Sequence, residues 1–202
     1  MSKAQREPVP MSLEEYFAFE RRAESRHEFV EGFVYAMSGA TKRHNRIVGN
    51  TFHRFRGAER GTGCRAYVEA VMLHLGDRVY YPDVMVSCGP PSDDPYVEEA
   101  PTVLVEVLSE STWHIDRREK RSAYRAIPRL AAYLIVAQDE RYVHRHWRDG
   151  EGEWRYEVLE GSGEIPLPGL GITLTLDDIY EGVDFPPPEQ RLRIREEAAA
   201  YG

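Results

Sequence analysis

The stretch YYPDVMVS, from Tyr80 to Ser87, and the stretch TVLVEVLS, from Thr102 to Ser109, each combine a strand-forming apolar run with one carboxylate. The acid is Asp83 in the first run and Glu106 in the second. An ionised carboxylate in an apolar interior is costly unless it is paired or bound to a metal. Two such acids in consecutive predicted strands indicate a shared reason for their burial.

The alternation of side chains along a strand places Glu106 on one face of the second run and the three valines of that run on the other. In the first run, Pro82 lacks the N–H that a strand ladder needs, which predicts a strand start or a bulge. We expect a bend there to turn Asp83 towards Glu106. The two carboxylates would then bind one divalent ion.

The rest of the chain alternates between helix and strand patterns. Helices are predicted in MSLEEYFAFERRAES, which opens with a capping box, from Thr41 to Gly61, in STWHIDRREKRSAYRAI and in TLDDIYEGV. Single strands are predicted in CRAYVEAVMLHL, VYYPDVMVS, TVLVEVLS and AYLIVAQ, and hairpins in HEFVEGFVYAM and in RYVHRHWR with EWRYEVLE. This order predicts an α/β or α+β fold, a mixed sheet flanked by helices that contains a strand–helix–strand unit.

Length and composition bound the class of protein. A chain of 202 residues is in the range of one domain, since domains commonly hold about 100 to 200 residues. We expect that domain at residues 11–185, between an N-terminal tail at 1–10 and a polar C-terminal tail at 186–202. The chain has no apolar run of membrane-spanning length and no secretory signal. We therefore expect a cytoplasmic protein without a membrane partner, in which Cys64 and Cys88 form no disulfide.

The charge is unevenly distributed. The net charge of -8 argues against a protein that coats nucleic acid through its overall field. Twelve of the 26 cationic residues nevertheless lie in two short segments, 41–60 and 113–129. These segments are either solvated helix faces or local contacts for a polyanion, for which the candidates are Arg43, Arg46, Arg121 and Arg125.

A lysine follows the Glu106 strand. Hard cations such as Mg²⁺ prefer carboxylate oxygens, waters and substrate phosphate as ligands, and a nearby cation stabilises the charge that develops on a phosphodiester. Lys120 is the candidate for that cation. It shares one helix face with Asp116 and Tyr124, which lie one turn before and one turn after it.

These residues resemble a known pattern. Pro82-Asp83 followed by an acid in an apolar strand is similar to the PD-(D/E)XK nuclease superfamily. The ordered series HEFVEG, RHNRI, YYPDVMV, VEVLSEST, YLIV and LPGLGITLTLDDIYEG resembles more closely the Uma family of restriction endonucleases, over about Ser12 to Val183. The resemblance implies a restriction-endonuclease-like fold and a Mg²⁺- or Mn²⁺-dependent cleavage of DNA. It also makes a homodimer the expected assembly.

The chain departs from the superfamily at one position. The superfamily pattern has lysine two residues after the strand acid, where this sequence has Leu108. The resemblance implies that Lys120 replaces it, with Glu28 as an accessory acid and Glu31 as the less favoured alternative. His44 is either a histidine at the edge of the core or a member of the site. If Lys120 does not reach the site, the alternative is an inactive nuclease-like fold that acts as a nucleic-acid-binding or assembly module.

Overall fold

The computed structural model describes residues 9–37, 39–108 and 113–185. Within these ranges, the helices are α1 (Leu13–Glu20), α2 (Lys42–Ala58), α3 (Trp113–Arg125) and α4 (Leu176–Ile179), and a short 3-10 helix covers Pro168–Leu170. Each predicted helix is confirmed. The N-caps follow the sequence: Ser12 forms a capping box with Glu15, and the Thr41 side chain accepts a hydrogen bond from the backbone N–H of His44.

In the described ranges, the strands form two sheets of six strands each and a separate two-stranded ribbon. The peripheral sheet has the order β1-β3-β2-β6-β5-β8, with β1 (Val9–Pro10), β2 (His27–Val30), β3 (Phe33–Ala36), β5 (Met72–Leu75), β6 (Arg78–Tyr80) and β8 (Val97–Glu98). The central sheet has the order β12-β11-β10-β9-β7-β4, with β4 (Arg65–Val68), β7 (Val84–Ser87), β9 (Val103–Leu108), β10 (Ala132–Ala137), β11 (Tyr142–Arg148) and β12 (Trp154–Glu160). The ribbon pairs β13 (Glu164–Leu167) with β14 (Ile172–Thr175).

The central sheet has two apolar faces, as the alternation in β9 predicts. Val103, Val105 and Val107 pack with α2, α4 and the ribbon in one cluster. Leu104 and Leu108 pack on the other face with tyrosines, including one from α3. The unit β9–α3–β10 is a parallel crossover in which Glu106 is paired with Ile135, so α3 covers the face to which Glu106 points.

Two of the predicted single strands are wrong. The segment CRAYVEAVMLHL divides into β4 and β5, and VYYPDVMVS divides into β6 and β7, so each contributes to both sheets. The breaks fall at residues 69–71 and 81–83. A short strand cannot stay paired in two sheets that diverge, and Pro82 provides no N–H at the second break. These breaks bring Asp83 to the junction of the two sheets.

The expectation that the cysteines are unpaired is also wrong. Cys64 and Cys88 form a disulfide, with their Cα atoms 3.9 Å apart. Arg65 is opposite Ser87 in the antiparallel pair β4–β7, so the next residue outward on each strand is a cysteine. The pairing depends on that strand register, which composition does not reveal.

Within the described residues, no helix combines the length and apolar character needed to cross a membrane. The two residues of β1 belong to the segment predicted as an N-terminal tail and pair with β3. The predicted C-terminal tail, residues 186–202, lies outside the described residues.

Candidate metal and catalytic site

Asp83 lies where the chain enters β7 from the break between the sheets. The register of β7 with β9 pairs Val84 with Val105, and extending it by one residue places Asp83 opposite Glu106. The Asp83 carboxylate accepts a hydrogen bond from the backbone N–H of Val107, at 2.6 Å from Oδ2. A charge-assisted bond of this kind holds the carboxylate in one orientation beside Glu106.

Glu106 is buried in the middle of β9 and is held by two groups of α3. The Tyr124 hydroxyl donates to Glu106 Oε1 at 2.7 Å, and Lys120 Nζ lies 3.4 Å from the same oxygen. Burial raises the pKa of Tyr124 well above its ordinary value, and the negative charge of Glu106 raises it further. Tyr124 is therefore a permanent donor to Glu106.

Lys120 is 4% exposed and joins the two sheets. Its ammonium lies 2.8 Å from Oε1 of Glu28, which is on β2 of the peripheral sheet, and it also contacts Glu106 of the central sheet. Glu28 accepts in addition from the backbone N–H of Tyr81 at 3.3 Å. Lys120 thus reaches the carboxylate that the sequence pattern assigns to the metal.

His44 lies on the first turn of α2, next to Asp83. Its Nε2 is 3.2 Å from Oδ1 of Asp83, and the side chain is buried. Burial lowers the pKa of His44, but the hydrogen bond and charge of Asp83, together with the charge of Glu69, outweigh burial and raise it above its ordinary value. The sequence left His44 as either a core-edge residue or a site residue, and the structure brings it against Asp83.

Glu69 is a site residue that sequence reasoning missed. One ligand atom from each of His44, Glu69 and Asp83 lies within 4.8 Å of the others, a separation at which the three could hold a metal ion. The backbone N–H of Glu69 donates to the carbonyl of Asp83 at 3.2 Å. No spacing rule links residue 69 to residue 83, because the register of β4 with β7 brings them together: it pairs Val68 with Val84, and extending it by one residue places Glu69 opposite Asp83.

Several predicted residues lie elsewhere or take other contacts. Glu31 forms the β2–β3 turn with Gly32, and its carboxylate pairs with Arg78, so we assign it to the hairpin. Arg43 donates to Asp139 at 2.7 Å and to the carbonyl of Asp184 at 2.9 Å. These contacts give Arg43 a structural role that the sequence did not indicate.

The remaining predicted arginines lie on the two basic helices. Arg46 and Arg125 are exposed and Arg121 is half-buried. Arg125 also lies 5.5 Å from the ring of Trp154, within reach of a cation–π contact. Asp116 is on α3, but its side chain lies outside the described part of the structure.

The site is a continuous group of charged side chains. Among the described side chains, four carboxylates, those of Glu28, Glu69, Asp83 and Glu106, meet one ammonium and one imidazole. The acids are buried or half-buried, so solvent screens this excess of negative charge only in part. Such a group attracts a divalent cation and carries a cation of its own beside the carboxylates.

Known proteins are similar to most of the chain. The family Uma2, described as "Putative restriction endonuclease", matches residues 13–177, which include every one of these charged side chains. Two uncharacterized proteins of Synechocystis are similar to the chain. The protein slr1290 is 30% identical over 182 residues, which cover 88% of this chain and 96% of the relative. The protein sll1609 is 31% identical over 159 residues, which cover 75% of this chain and 88% of the relative.

The fold also has a solved counterpart. A crystal structure from Anabaena variabilis, titled as a "putative nuclease belonging to DUF820", superimposes with a TM-score of 0.69 at 18% sequence identity. The match covers 85% of this chain and 98% of the other. At that identity the likeness concerns the fold, and it supports the mixed-sheet architecture expected from the sequence.

Proposed function

Since the chain belongs to the Uma2 family, described as "Putative restriction endonuclease", we propose that it is a metal-dependent endonuclease that hydrolyses phosphodiester bonds of DNA. Asp83 and Glu106 are the proposed metal ligands, Lys120 the charge-stabilising cation and Glu28 the accessory acid. The observation that carries the proposal is the 3.4 Å contact of Lys120 Nζ with Glu106 Oε1. Lys120 on α3 thereby provides the cation that the superfamily pattern has at position 108 of β9, where this chain has leucine.

The donor set fits Mg²⁺ or Mn²⁺. Both ligands are carboxylates, the oxygen donors that these hard cations prefer, and the surrounding group has more acids than cations. A bound divalent ion supplies Lewis-acid polarisation of the phosphate and an activated water. The carboxylates would hold it, and the hydrogen bond from the Val107 N–H to Asp83 keeps one of them oriented.

The protein's own groups account for the rest of the proposed chemistry. The Lys120 ammonium lies beside Glu106, where it is placed to stabilise the negative charge that grows on the phosphate in the transition state. The hydroxyl of Tyr124 on α3 keeps Glu106 in position through its 2.7 Å hydrogen bond to Oε1. Glu28 holds Lys120 from the peripheral sheet and so keeps the ammonium in place.

DNA binding is proposed for arginines of α2 and α3. Arg46, Arg121 and Arg125 are the candidates for phosphate contacts, whereas Arg43 is engaged with Asp139. At physiological salt the field of remote acids is screened over about 8 Å, so local charge decides binding despite the net charge of -8. A homodimer would present two such sites to the two strands of a duplex, and sedimentation equilibrium measures that assembly.

The test is cleavage of DNA by the full chain. The protein should cut plasmid DNA with Mg²⁺ or Mn²⁺, stop in EDTA, and lose all cutting in the double variant Asp83→Ala with Glu106→Ala. Glu14→Ala is the matched control, because Glu14 is an exposed carboxylate on α1, outside the site and outside both basic helices. Cutting that survives the double change would refute this site.

One observation favours a second candidate. The ammonium of Lys120 pairs with both Glu28 and Glu106, which is also how a purely structural buried ion pair is built. A nuclease-like fold without chemistry would act as a nucleic-acid-binding or assembly module. Calorimetric titration with Mn²⁺ separates the two: a folded protein that binds no Mn²⁺ at millimolar concentration is the module.

A further inference from the structure

Glu69 has an unusual backbone. Its φ is 51°, in the left-handed region, where a residue with a Cβ atom is disfavoured by about 1 to 2 kcal/mol. Within the described residues, Glu31 is the other residue besides glycine with a positive φ. Glu31 is explained by the two-residue turn that it forms with Gly32 between β2 and β3, a turn that requires positive φ at both positions.

No two-residue hairpin turn explains Glu69, which is instead the central residue of a γ-turn closed by a 2.6 Å hydrogen bond from the backbone N–H of Ala70 to the carbonyl of Val68, a rare and strained type of turn. It lies in the three-residue connection between β4 and β5, which belong to different sheets. Its N–H is bonded to the carbonyl of Asp83, so the strained residue is held against a proposed metal ligand. A strained conformation of a bulky residue persists only where the surrounding structure enforces it, and such residues concentrate at functional sites.

The conformation places the Glu69 carboxylate beside Asp83 and His44. The ligand atoms of the three residues lie within 4.8 Å of one another. Ligands of one ion at about 2.1 Å lie at most about 4.2 Å apart. Ligands in cis positions lie only about 3 Å apart, so a pair separated by 4.8 Å has to close by about 0.6 to 1.8 Å when the ion binds.

His44 provides an independent observation. The residue is only 6% exposed, and within the described residues its Nδ1 makes no hydrogen bond of good geometry, although the backbone of Val107 lies close enough to help raise the pKa of His44. The other ring nitrogen, Nε2, points at Asp83 from 3.2 Å. A buried imidazole left incompletely bonded is costly as a packing residue. Metal binding by Nε2 would explain why this nitrogen faces the carboxylates of Asp83 and Glu69.

We propose that His44, Glu69 and Asp83 form a binding site for a divalent transition-metal ion, for which Mn²⁺ is the probe. The inference deepens the proposed function and rests on it, because Asp83 is shared with the hydrolytic site. One nitrogen and two carboxylate ligands match a transition metal better than Mg²⁺, which favours oxygen donors alone. The strain at Glu69 is retained because it supplies the third ligand.

The experiment is calorimetric titration of the full chain with MnCl₂ and with MgCl₂ in the absence of DNA. Glu69→Gln keeps the size of the side chain and removes its charge, and it should weaken Mn²⁺ binding at least tenfold. His44→Gln replaces a nitrogen ligand by an amide oxygen, so it should reduce Mn²⁺ affinity more than Mg²⁺ affinity.

A second substitution separates metal binding from packing. Glu69→Gly relieves the left-handed backbone, so it should raise the melting temperature of the metal-free protein while weakening Mn²⁺ binding as much as Glu69→Gln does. The matched control is Glu31→Gly, which relieves the other left-handed glutamate and should leave Mn²⁺ affinity unchanged. A purely structural role for Glu69 predicts unchanged Mn²⁺ affinity in both Glu69 variants, whatever the change in melting temperature.

The outcomes distinguish this inference from the proposed function. If Glu69→Gln and His44→Gln bind Mn²⁺ like the unaltered protein while Asp83→Asn does not, the ion lies between Asp83 and Glu106 alone. That result overturns the three-residue site and leaves the endonuclease proposal intact. If the unaltered protein binds neither ion, both proposals fail.

Discussion

Replacing Lys120 by methionine is the most direct perturbation of the site. The substitution keeps most of the apolar stem of the side chain and removes the ammonium. It leaves Glu28, 2.8 Å from the lost cation, and Glu106, 3.4 Å from it, as buried acids without that partner. Both acids lie at the junction of the two sheets, so the effect should appear in global stability.

The magnitude follows from burial. Lys120 is 4% exposed, and removing one partner of a buried ion pair typically costs about 3 to 5 kcal/mol, because the other charge stays buried without compensation. For a chain of this size each kcal/mol lowers the melting temperature by about 2 to 4 °C. Lys120→Met should therefore lower it by about 6 to 20 °C.

The assay is thermal and urea denaturation followed by circular dichroism, in EDTA so that no metal replaces the ammonium. The double variant Lys120→Met with Glu28→Gln also removes the charge that lay nearer to the lost ammonium and should recover part of the loss. Lys42→Met is the control, since Lys42 is exposed and its loss should change stability by no more than about 0.5 kcal/mol. A loss below about 1 kcal/mol for Lys120→Met would show that the contacts with Glu28 and Glu106 are not formed.

Two further predictions concern the surface and the disulfide. Reversing Arg46, Arg121 and Arg125 to glutamate should flatten the dependence of log affinity for duplex DNA on log salt by about 0.9 per lost phosphate contact. Fluorescence anisotropy measures the affinity, and reversal of Arg191 and Arg193 in the predicted tail is the control. An unchanged slope would show that DNA binds elsewhere. Replacing Cys64 and Cys88 by serine removes a disulfide that joins residues 24 positions apart. The substitution should lower the free energy of unfolding by about 3 kcal/mol. If the variant and the oxidised parent were equally stable, the disulfide would not be formed.

The residues of α3 and β9 were predictable because their relations are local. Alternation along a strand fixes the face of Glu106, and spacing on a helix fixes that Lys120 and Tyr124 share a face. Since β9, α3 and β10 follow one another as a crossover unit, the helix covers that strand face. Contacts between Lys120, Tyr124 and Glu106 follow from those rules.

Glu69, the disulfide and the role of Arg43 were not predictable from such rules. Each depends on how the chain passes from one sheet to the other or returns to it. The segment around Glu69 looks like continuous strand in the sequence, and the break is visible only once β4 and β5 are seen in different sheets. The partner of Arg43, Asp139, is 96 positions away. Local sequence patterns carry no information about contacts between residues that lie so far apart in the chain.

The position of Leu108 explains how a helix can supply the cation of this site. Residues 106 and 108 point to the same face of β9, about 7 Å apart along the strand, and Leu108 is buried there among aromatic side chains. A lysine at 108 would have to carry its ammonium back along the strand to Glu106. Lys120 approaches from α3, across that same face, and contacts Glu106 and Glu28 together. A lysine on the covering helix therefore meets the geometric requirement for charge stabilisation, and Leu108 is left to stabilise the core.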